Sequence, residues 1–332
     1  MLEKPALSDV QIITSLSERY AIPVDALSFL PIGNDATAWV YRVESGGLTY
    51  FLKVKHGAIY EPSLSVPRYL YDAGIKQVVA PYPTPSQHLS VAIEGYNLIL
   101  YPFIEGHAGG LSDAQRIELG AVMKRIHSTT LPSSVQAQIR KERFIPPWLK
   151  TVQKLHEAIT RTTGDTPIAR EFIDFCRERQ DEIGTISARA ESLGRLARER
   201  AMPIVVCHAD IHDFNTIISS QGELFVVDWD EVQFAPKERD LMFVGNVETI
   251  GAHVPPHTRL FYEGYGAVKV DPLLIAYYRY EWVVQEMGDF GARILHGQEL
   301  GEATRQDALD GFRKLFADGN VVDAAYAADV AE

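Results

Sequence analysis

The chain has 332 residues, and 32 Lys or Arg against 44 Asp or Glu give a formal net charge of −12. Hydrophobic residues at 46% and charged residues at 23% are ordinary globular values, so a disordered chain is excluded. The acidic excess argues against nucleic acid or a phospholipid surface as a partner, because both are polyanions, and is compatible with a small cationic ligand.

In chain order, the first residues lack a basic stretch followed by an apolar core, and no apolar run approaches the ~18 residues of a membrane span. A cytoplasmic protein with no membrane partner is therefore expected, and no segment points to an obligate protein partner. Residues 26–32 and 36–44 are apolar or β-branched runs separated by the turn sequence Gly33-Asn34-Asp35, and Ser45-Gly46-Gly47 sets off 48–55 as a third strand. A short helix follows over 62–73, ending at Gly74, with Pro67 as an internal defect. Residues 88–93 and 96–104 flank Glu94-Gly95, a hairpin signal. Five strands and one helix make a small α+β lobe, 1–103, followed by a hinge over 104–110 that ends in the linker-like 106–110.

From residue 111 to 332 the pattern turns mainly helical. Ser112 and Gln115 fit a capping box, and Ile117, Met123 and Ile126 carry helical spacing to His127. Helices are also predicted near 147–160, 166–183, 185–200, 237–247, 257–268, 271–292 and 302–317, with short strands at 204–206 and 224–227. Cys176 and Cys207 are too few for a disulfide framework or a cysteine-based zinc site, and Cys207, on an apolar strand, is expected to be buried and inert.

Three elements carry chemistry. The segment Val205-Val206-Cys207-His208-Ala209-Asp210-Ile211-His212-Asp213-Phe214-Asn215 contains H-x-D-x-x-x-x-N, a pattern used in phosphoryl transfer. Asp210 would accept the hydrogen bond of an acceptor hydroxyl and aim it at a γ-phosphate, and the amide oxygen of Asn215 can help hold Mg²⁺. Eighteen residues after Asp210, Leu224-Phe225-Val226-Val227-Asp228-Trp229-Asp230 is an apolar strand ending in carboxylates, and Asp228 can chelate a cation that bridges phosphates. Lys53, within Tyr50-Phe51-Leu52-Lys53-Val54, is either a surface lysine on an alternating strand or an inward-facing cation for the nucleotide's α/β-phosphates. The order and separation of the three elements favour the second reading.

Over nearly its whole length the chain resembles the aminoglycoside phosphotransferase family. Within that family Tyr50-Phe51-Leu52-Lys53, Tyr101-Pro102-Phe103-Ile104, Ala235-Pro236-Lys237-Glu238-Arg239-Asp240-Leu241-Met242-Phe243 and Phe261-Tyr262-Glu263-Gly264-Tyr265-Gly266 are most similar to spectinomycin phosphotransferases. The resemblance implies a protein-kinase-like two-lobe fold, with Asp210 as catalytic base, Asn215 and Asp228 as Mg²⁺ ligands and Lys53 on the phosphates. It also implies that Tyr101, Pro102 and Phe103 form the hinge that holds the base of ATP or GTP, with the Phe103 N–H as donor because Pro102 has none. Two departures stand out. Ser63 and Ser65 fall where a helix glutamate usually pairs with the lysine, leaving Glu61 as the nearest carboxylate. Gly33-Asn34-Asp35-Ala36-Thr37 has one glycine instead of G-x-G-x-x-G, so Gly33 and Asn34 either contact phosphate or form a plain hairpin turn.

The twelve residues from Asp228 to Asp240 leave no room for a phosphorylatable activation loop and its peptide platform, which favours a small-molecule acceptor. Glu231, and Tyr278, Glu281, Trp282 and Glu286 on the helix over 276–288, are candidate contacts for a cationic, polyhydroxylated acceptor, although such a helical stripe also suits core packing. His208 and His212 are expected to brace the loop, Asp240 to receive loop N–H groups, and His127 to be a cap or core histidine. The expected activity is transfer of a γ-phosphoryl group to a hydroxyl of an aminoglycoside or aminocyclitol, spectinomycin first, giving antibiotic resistance. The alternatives are a metabolic kinase of choline, homoserine or methylthioribose type and, from another class, a nucleotide-binding pseudokinase scaffold.

Overall fold

The period-two alternation of 26–104 closes into one five-stranded antiparallel sheet in the order β1-β2-β3-β5-β4. The computed structural model describes residues 3–33, 35, 37–159, 164–244, 256–297 and 300–330. A helix, α1 (Asp9–Arg19), precedes the sheet strands β1 (Ala26–Leu30), β2 (Ala38–Ser45) and β3 (Leu48–His56). It is absent from the sequence expectation, although Ser8 and Gln11 spell a capping box and form one. Then come α2 (Pro62–Asp72), β4 (Val91–Ile93) and β5 (Tyr96–Pro102).

The chain continues through β6 (Gly106–Ala108), α3 (Asp113–His127), α4 (Ser133–Gln136), α5 (Leu149–Ala158), α6 (Pro167–Glu178) and α7 (Gln180–Arg198). Next are β7 (Val205–Cys207), β8 (Thr216–Ser219), β9 (Leu224–Val226), β10 (Gln233–Ala235), α8 (Glu238–Leu241) and α9 (Pro256–Tyr265). The last helices are α10 (Pro272–His296), α11 (Glu302–Leu315) and α12 (Val321–Ala327). By contact density the described residues form two compact units, one drawn from 1–141, 204–243 and 255–267, the other from 142–203, 244–254 and 268–332.

In the first unit β3 is central. Leu52 and Val54 are fully buried on one face, which leaves Phe51, Lys53 and Lys55 on the other. The register Val40↔Lys53↔Ile99 and Arg42↔Phe51↔Tyr101 places Val40 and Tyr101 on the face of Lys53. The linker-like 106–110 contains β6, which pairs with β8 in a second sheet with β9, and a Cβ at Gly106 would stand 2.0 Å from Ile218 O. The strand foreseen from residue 88 starts at Val91, because His88 closes a turn with Thr84 through bonds of 2.8 and 3.0 Å. The helix foreseen over 237–247 is the single turn α8, and 245–247 lie outside the described residues. The capping box of α3, in contrast, forms between Ser112 and Gln115 as expected.

Helices α3 and α9 meet at backbone distance. A Cβ on Gly120 would lie 2.0 Å from Phe261 O, and one on Gly264 would lie 1.8 Å from Ile117 O. The second unit packs the long α10 against α5, α6, α7, α11 and α12. Its core holds an edge-to-face pair, Phe172 and Phe312, with centroids 4.8 Å apart.

Gly264→Ala tests the backbone contact. Helix propensity favours the change by about 1 kcal/mol, but the carbonyl it strikes is backbone of α3, which cannot swing aside as a side chain would, so overpacking of about 1–3 kcal/mol decides the sign. A thermal melt is expected to fall by several degrees; an unchanged or raised Tm would contradict the close approach.

Candidate active site

The site is built on the loop that leaves β7. Asp240, 1% exposed in the turn of α8, accepts the N–H groups of His208 at 3.0 Å and Ala209 at 2.6 Å. The same carboxylate bonds His127 Nε2 at 2.8 Å, and His127 Nδ1 meets the Tyr265 hydroxyl at 2.7 Å. His127 is thus the core histidine of the two expected possibilities, and Asp240 receives loop N–H groups as foreseen. These bonds hold Ala209 at φ +72°, a left-handed conformation that costs about 1–3 kcal/mol for a residue with a side chain. Cys207 lies fully buried with Sγ directed at Ala235 O and Pro236 O, and burial pushes its thiol well above the ordinary range.

His208 joins this loop to the strand that ends in Asp228. Its Nδ1 accepts the Asp210 N–H at 3.3 Å, so Nε2 carries the proton and donates to Val227 O at 2.8 Å. Val227 N–H in turn donates to Asn215 O at 3.0 Å, and Asp228 follows at φ +63°. Asn215, in a 3-10 turn over Asp213–Asn215, sends Nδ2 to Asp210 O at 2.7 Å and to Asp210 Oδ2 at 3.0 Å. That orientation commits the amide nitrogen to the aspartate and leaves the amide oxygen for a cation. Burial raises the Asp210 carboxyl, but the His212 hydrogen bond and favourable electrostatic interaction with His212, His208 and Arg239 outweigh it, and the net shift is downward. Asp210 therefore stands ionised, as a hydrogen-bond acceptor for a hydroxyl must.

Lys53 is not paired with Glu61. Among the described residues its ion-pair partners are Asp228 at 3.1 Å and Asp230 at 2.9 Å, and its side chain is 12% exposed. Glu61 stands exposed at the N-cap of α2. Asp230 Oδ2 also holds Lys55 at 2.6 Å, and Lys55 reaches Asp35 at 3.3 Å. Burial opposes the charge on Lys53, but Asp228 and Asp230 more than offset it and hold the ammonium well above its ordinary range.

A cavity of about 450 Å³ opens on these groups. Val40, Phe51, Val79, Tyr101, Ile217 and Val227 give it apolar walls, Pro102 and Phe103 also line it, and Lys53, Asn215 and Asp228 are among its polar lining groups. An apolar slot ending in a cation and oxygen donors suits a planar base with a phosphate tail. Gly33 lines the mouth of the cavity, whereas Asn34 lies outside the described residues. The Asn215 amide oxygen and the Asp228 carboxylate are the hard-oxygen pair that Mg²⁺ takes when phosphates and water complete its shell, so the residues fit that ion. The cluster His127, Cys207 and Asp240 could geometrically hold a metal, but its histidine and carboxylate are already engaged in the loop bonds above.

The acceptor candidates divide. Glu231 is half-exposed and paired with Arg140 at 2.6 Å. On α10, Trp282 Nε1 donates to Glu286 at 3.2 Å, and both are part-buried. Tyr278 is fully buried with its ring against Tyr277 and Phe144, and Glu281 is 5% exposed, so both belong to the interior of the second unit and offer an acceptor no surface. A helical period shows that a stripe faces one way, not whether it faces a cleft.

A model of the phosphotransferase enzyme family matches residues 28–269. The chain belongs to that family. A spectinomycin phosphotransferase solved in complex with ADP and spectinomycin is 32% identical, covers 98% of this chain and 99% of its own, and superposes with a TM-score of 0.85. Protein StrN of Streptomyces griseus is 21% identical over 286 residues, 83% of this chain and 82% of its own length. A choline kinase from Streptococcus pneumoniae, 16% identical over 92% of this chain and 99% of its own, shares the fold with a TM-score of 0.56.

For this phosphotransferase, the groups that the motifs leave out are Asp35, Lys55 and Asp230. Lys55 alternates with Lys53 on one strand face, and that spacing was the available signal. No helix of the described residues is long and apolar enough to cross a membrane.

Asp240→Asn tests the loop anchor. Exchange of an acceptor oxygen for an amide NH₂ breaks at least one of three bonds and is expected to cost roughly 1–3 kcal/mol of stability. With Asp210 released, kcat should fall at least tenfold while nucleotide affinity changes less than threefold, read by melting, steady-state kinetics and calorimetry. Wild-type kcat in a folded Asp240→Asn protein would refute the anchoring role.

Proposed function

We propose that the protein is a Mg²⁺-dependent O-phosphotransferase that moves the γ-phosphoryl group of ATP or GTP to a hydroxyl of an aminocyclitol antibiotic, spectinomycin first, and so confers resistance. The observation that carries this reading is joint. Near-full-length similarity to a spectinomycin phosphotransferase accompanies Lys53, Asn215 and Asp228 lining one largely apolar cavity, and an ionised Asp210 hydrogen-bonded to Asn215. The lobe limits 1–103 and 111–332, with the hinge over 104–110, and the acceptor contacts Glu231, Trp282 and Glu286 are part of the proposal.

In this reading the base lies between the apolar walls and the backbone of Tyr101, Pro102 and Phe103. Lys53 exchanges carboxylate oxygens for phosphate oxygens. Asn215 and Asp228 would hold the ion, and Mg²⁺ when bound supplies neutralisation of charge on the phosphate oxygens. The acceptor hydroxyl donates to Asp210, whose orientation Asn215 Nδ2 fixes. The bond from the hydroxyl oxygen to Pγ forms as the bond from Pγ to the β,γ-bridging oxygen breaks. The hydroxyl proton passes to the Asp210 carboxylate, and the nucleoside diphosphate leaves. A phosphorylated antibiotic has gained charge and bulk, which weakens its fit to a site evolved for the parent cation.

Release of ADP across spectinomycin, choline, homoserine and methylthioribose, with product mass measured, tests the acceptor. Turnover of spectinomycin well above the other three is expected, and turnover of choline without spectinomycin would overturn the reading. Asp210→Asn should lower kcat by roughly 10²–10⁴-fold with nucleotide binding intact; full activity would remove Asp210 from its role.

A further inference from the structure

Lys53 in this chain lacks a helix glutamate, and the segment between β1 and β2 lacks a glycine-rich motif. Both gaps are bridged by one run of alternating charge, Asp35–Lys55–Asp230–Lys53–Asp228, with successive contacts of 3.3, 2.6, 2.9 and 3.1 Å. Its members come from three places in the first unit: the segment before β2, the cavity face of β3, and the residues that follow β9. Asp35 is itself locked, since its Oδ1 accepts both the N–H and the hydroxyl of Thr37 at 2.7 Å.

We infer that Asp230 and Lys55 are positioning residues for nucleotide: Asp230 takes the place of the helix carboxylate that holds Lys53, and Lys55 ties that carboxylate to the β1–β2 segment through Asp35. The inference rests on the nucleotide-binding reading of the cavity. Its physical basis is sharing of one oxygen. Asp230 Oδ2 is bonded by both ammonium groups, so neither lysine satisfies it alone, and Lys53 keeps attraction to spare for an anion. Without Lys55 the whole carboxylate charge would fall on Lys53 and compete directly with phosphate. The segment carrying Asp35 and Gly33 would also lose its tie to the strand, and Gly33 lines the cavity mouth. Burial opposes charge on Lys55 and the pull of Asp230 and Asp35 prevails, so the ammonium remains charged.

The test is Lys55→Met, which keeps length and apolar packing but removes the charge. Binding of a fluorescent ADP analogue without divalent ion is expected to weaken about tenfold. KM for ATP should rise by a similar factor and kcat change less than threefold. Lys55→Arg should restore most of the affinity, which a general packing defect would not permit. In a double-mutant cycle with Asp35→Asn, the double variant should be no worse than the poorer single one, because both cut the same run. Affinity within twofold of wild type for Lys55→Met, or additive losses in the cycle, would overturn the inference, as would loss of affinity in Glu61→Gln with Asp230→Asn unaffected. Failure of the wild-type protein to bind the analogue would instead reject the nucleotide-site reading itself.

Discussion

The site depends on one buried carboxylate. Asp240 gathers two loop N–H groups and an imidazole, and so fixes a backbone that Ala209 would not otherwise adopt. A carboxylate removed from water must be satisfied on nearly every lone pair, and here all the donors come from groups whose placement matters to Asp210. The hydrogen bonds to Asp240 offset both its desolvation and the strain at Ala209. His208 extends the constraint to Val227, and through Asn215 O to the start of Asp228. The loop that bears Asp210 and the strand that ends at Asp228 are in this way one hydrogen-bonded object.

Much of this was legible from sequence because it is local. The alternation Phe51-Leu52-Lys53-Val54-Lys55 states which side chains share a face, and H-x-D-x-x-x-x-N states which polar groups one loop must bring together. The capping box at Ser112 is likewise a matter of three residues. The partner of Lys53 is not local. Asp230 lies 177 positions away, and its contact with Lys53 depends on where the residues after β9, a strand of a separate sheet, are carried in the fold. Glu61 was near in sequence only; its helix begins at Pro62, which leaves the glutamate at the exposed N-cap. The short strands β8 and β10 lack the unbroken apolar run that marks the equally short β7 and β9, and they form by pairing with β6 and β7.

The acidic balance of the whole chain can now be divided by role. Asp240 and Glu238 are interior, Asp35, Asp228 and Asp230 are matched against two lysines, and Asp210 stands as a charged acceptor. The three aspartates and two lysines of the shared run sum to one negative charge, so the run is close to neutral as a whole.

The glycines between α3 and α9 bear on chemistry as well as on packing. Gly120 and Gly264 set how near the two helices come, and the same pair of helices carries His127 and Tyr265, whose bond is the far end of the Asp240 network. A hydrogen bond tolerates only a few tenths of an ångström before it weakens. The interval between the helices therefore acts as a gauge block for the aspartate on the other side of the network. Two absent methyl groups thus set the spacing on which the Asp240 anchor of the loop depends.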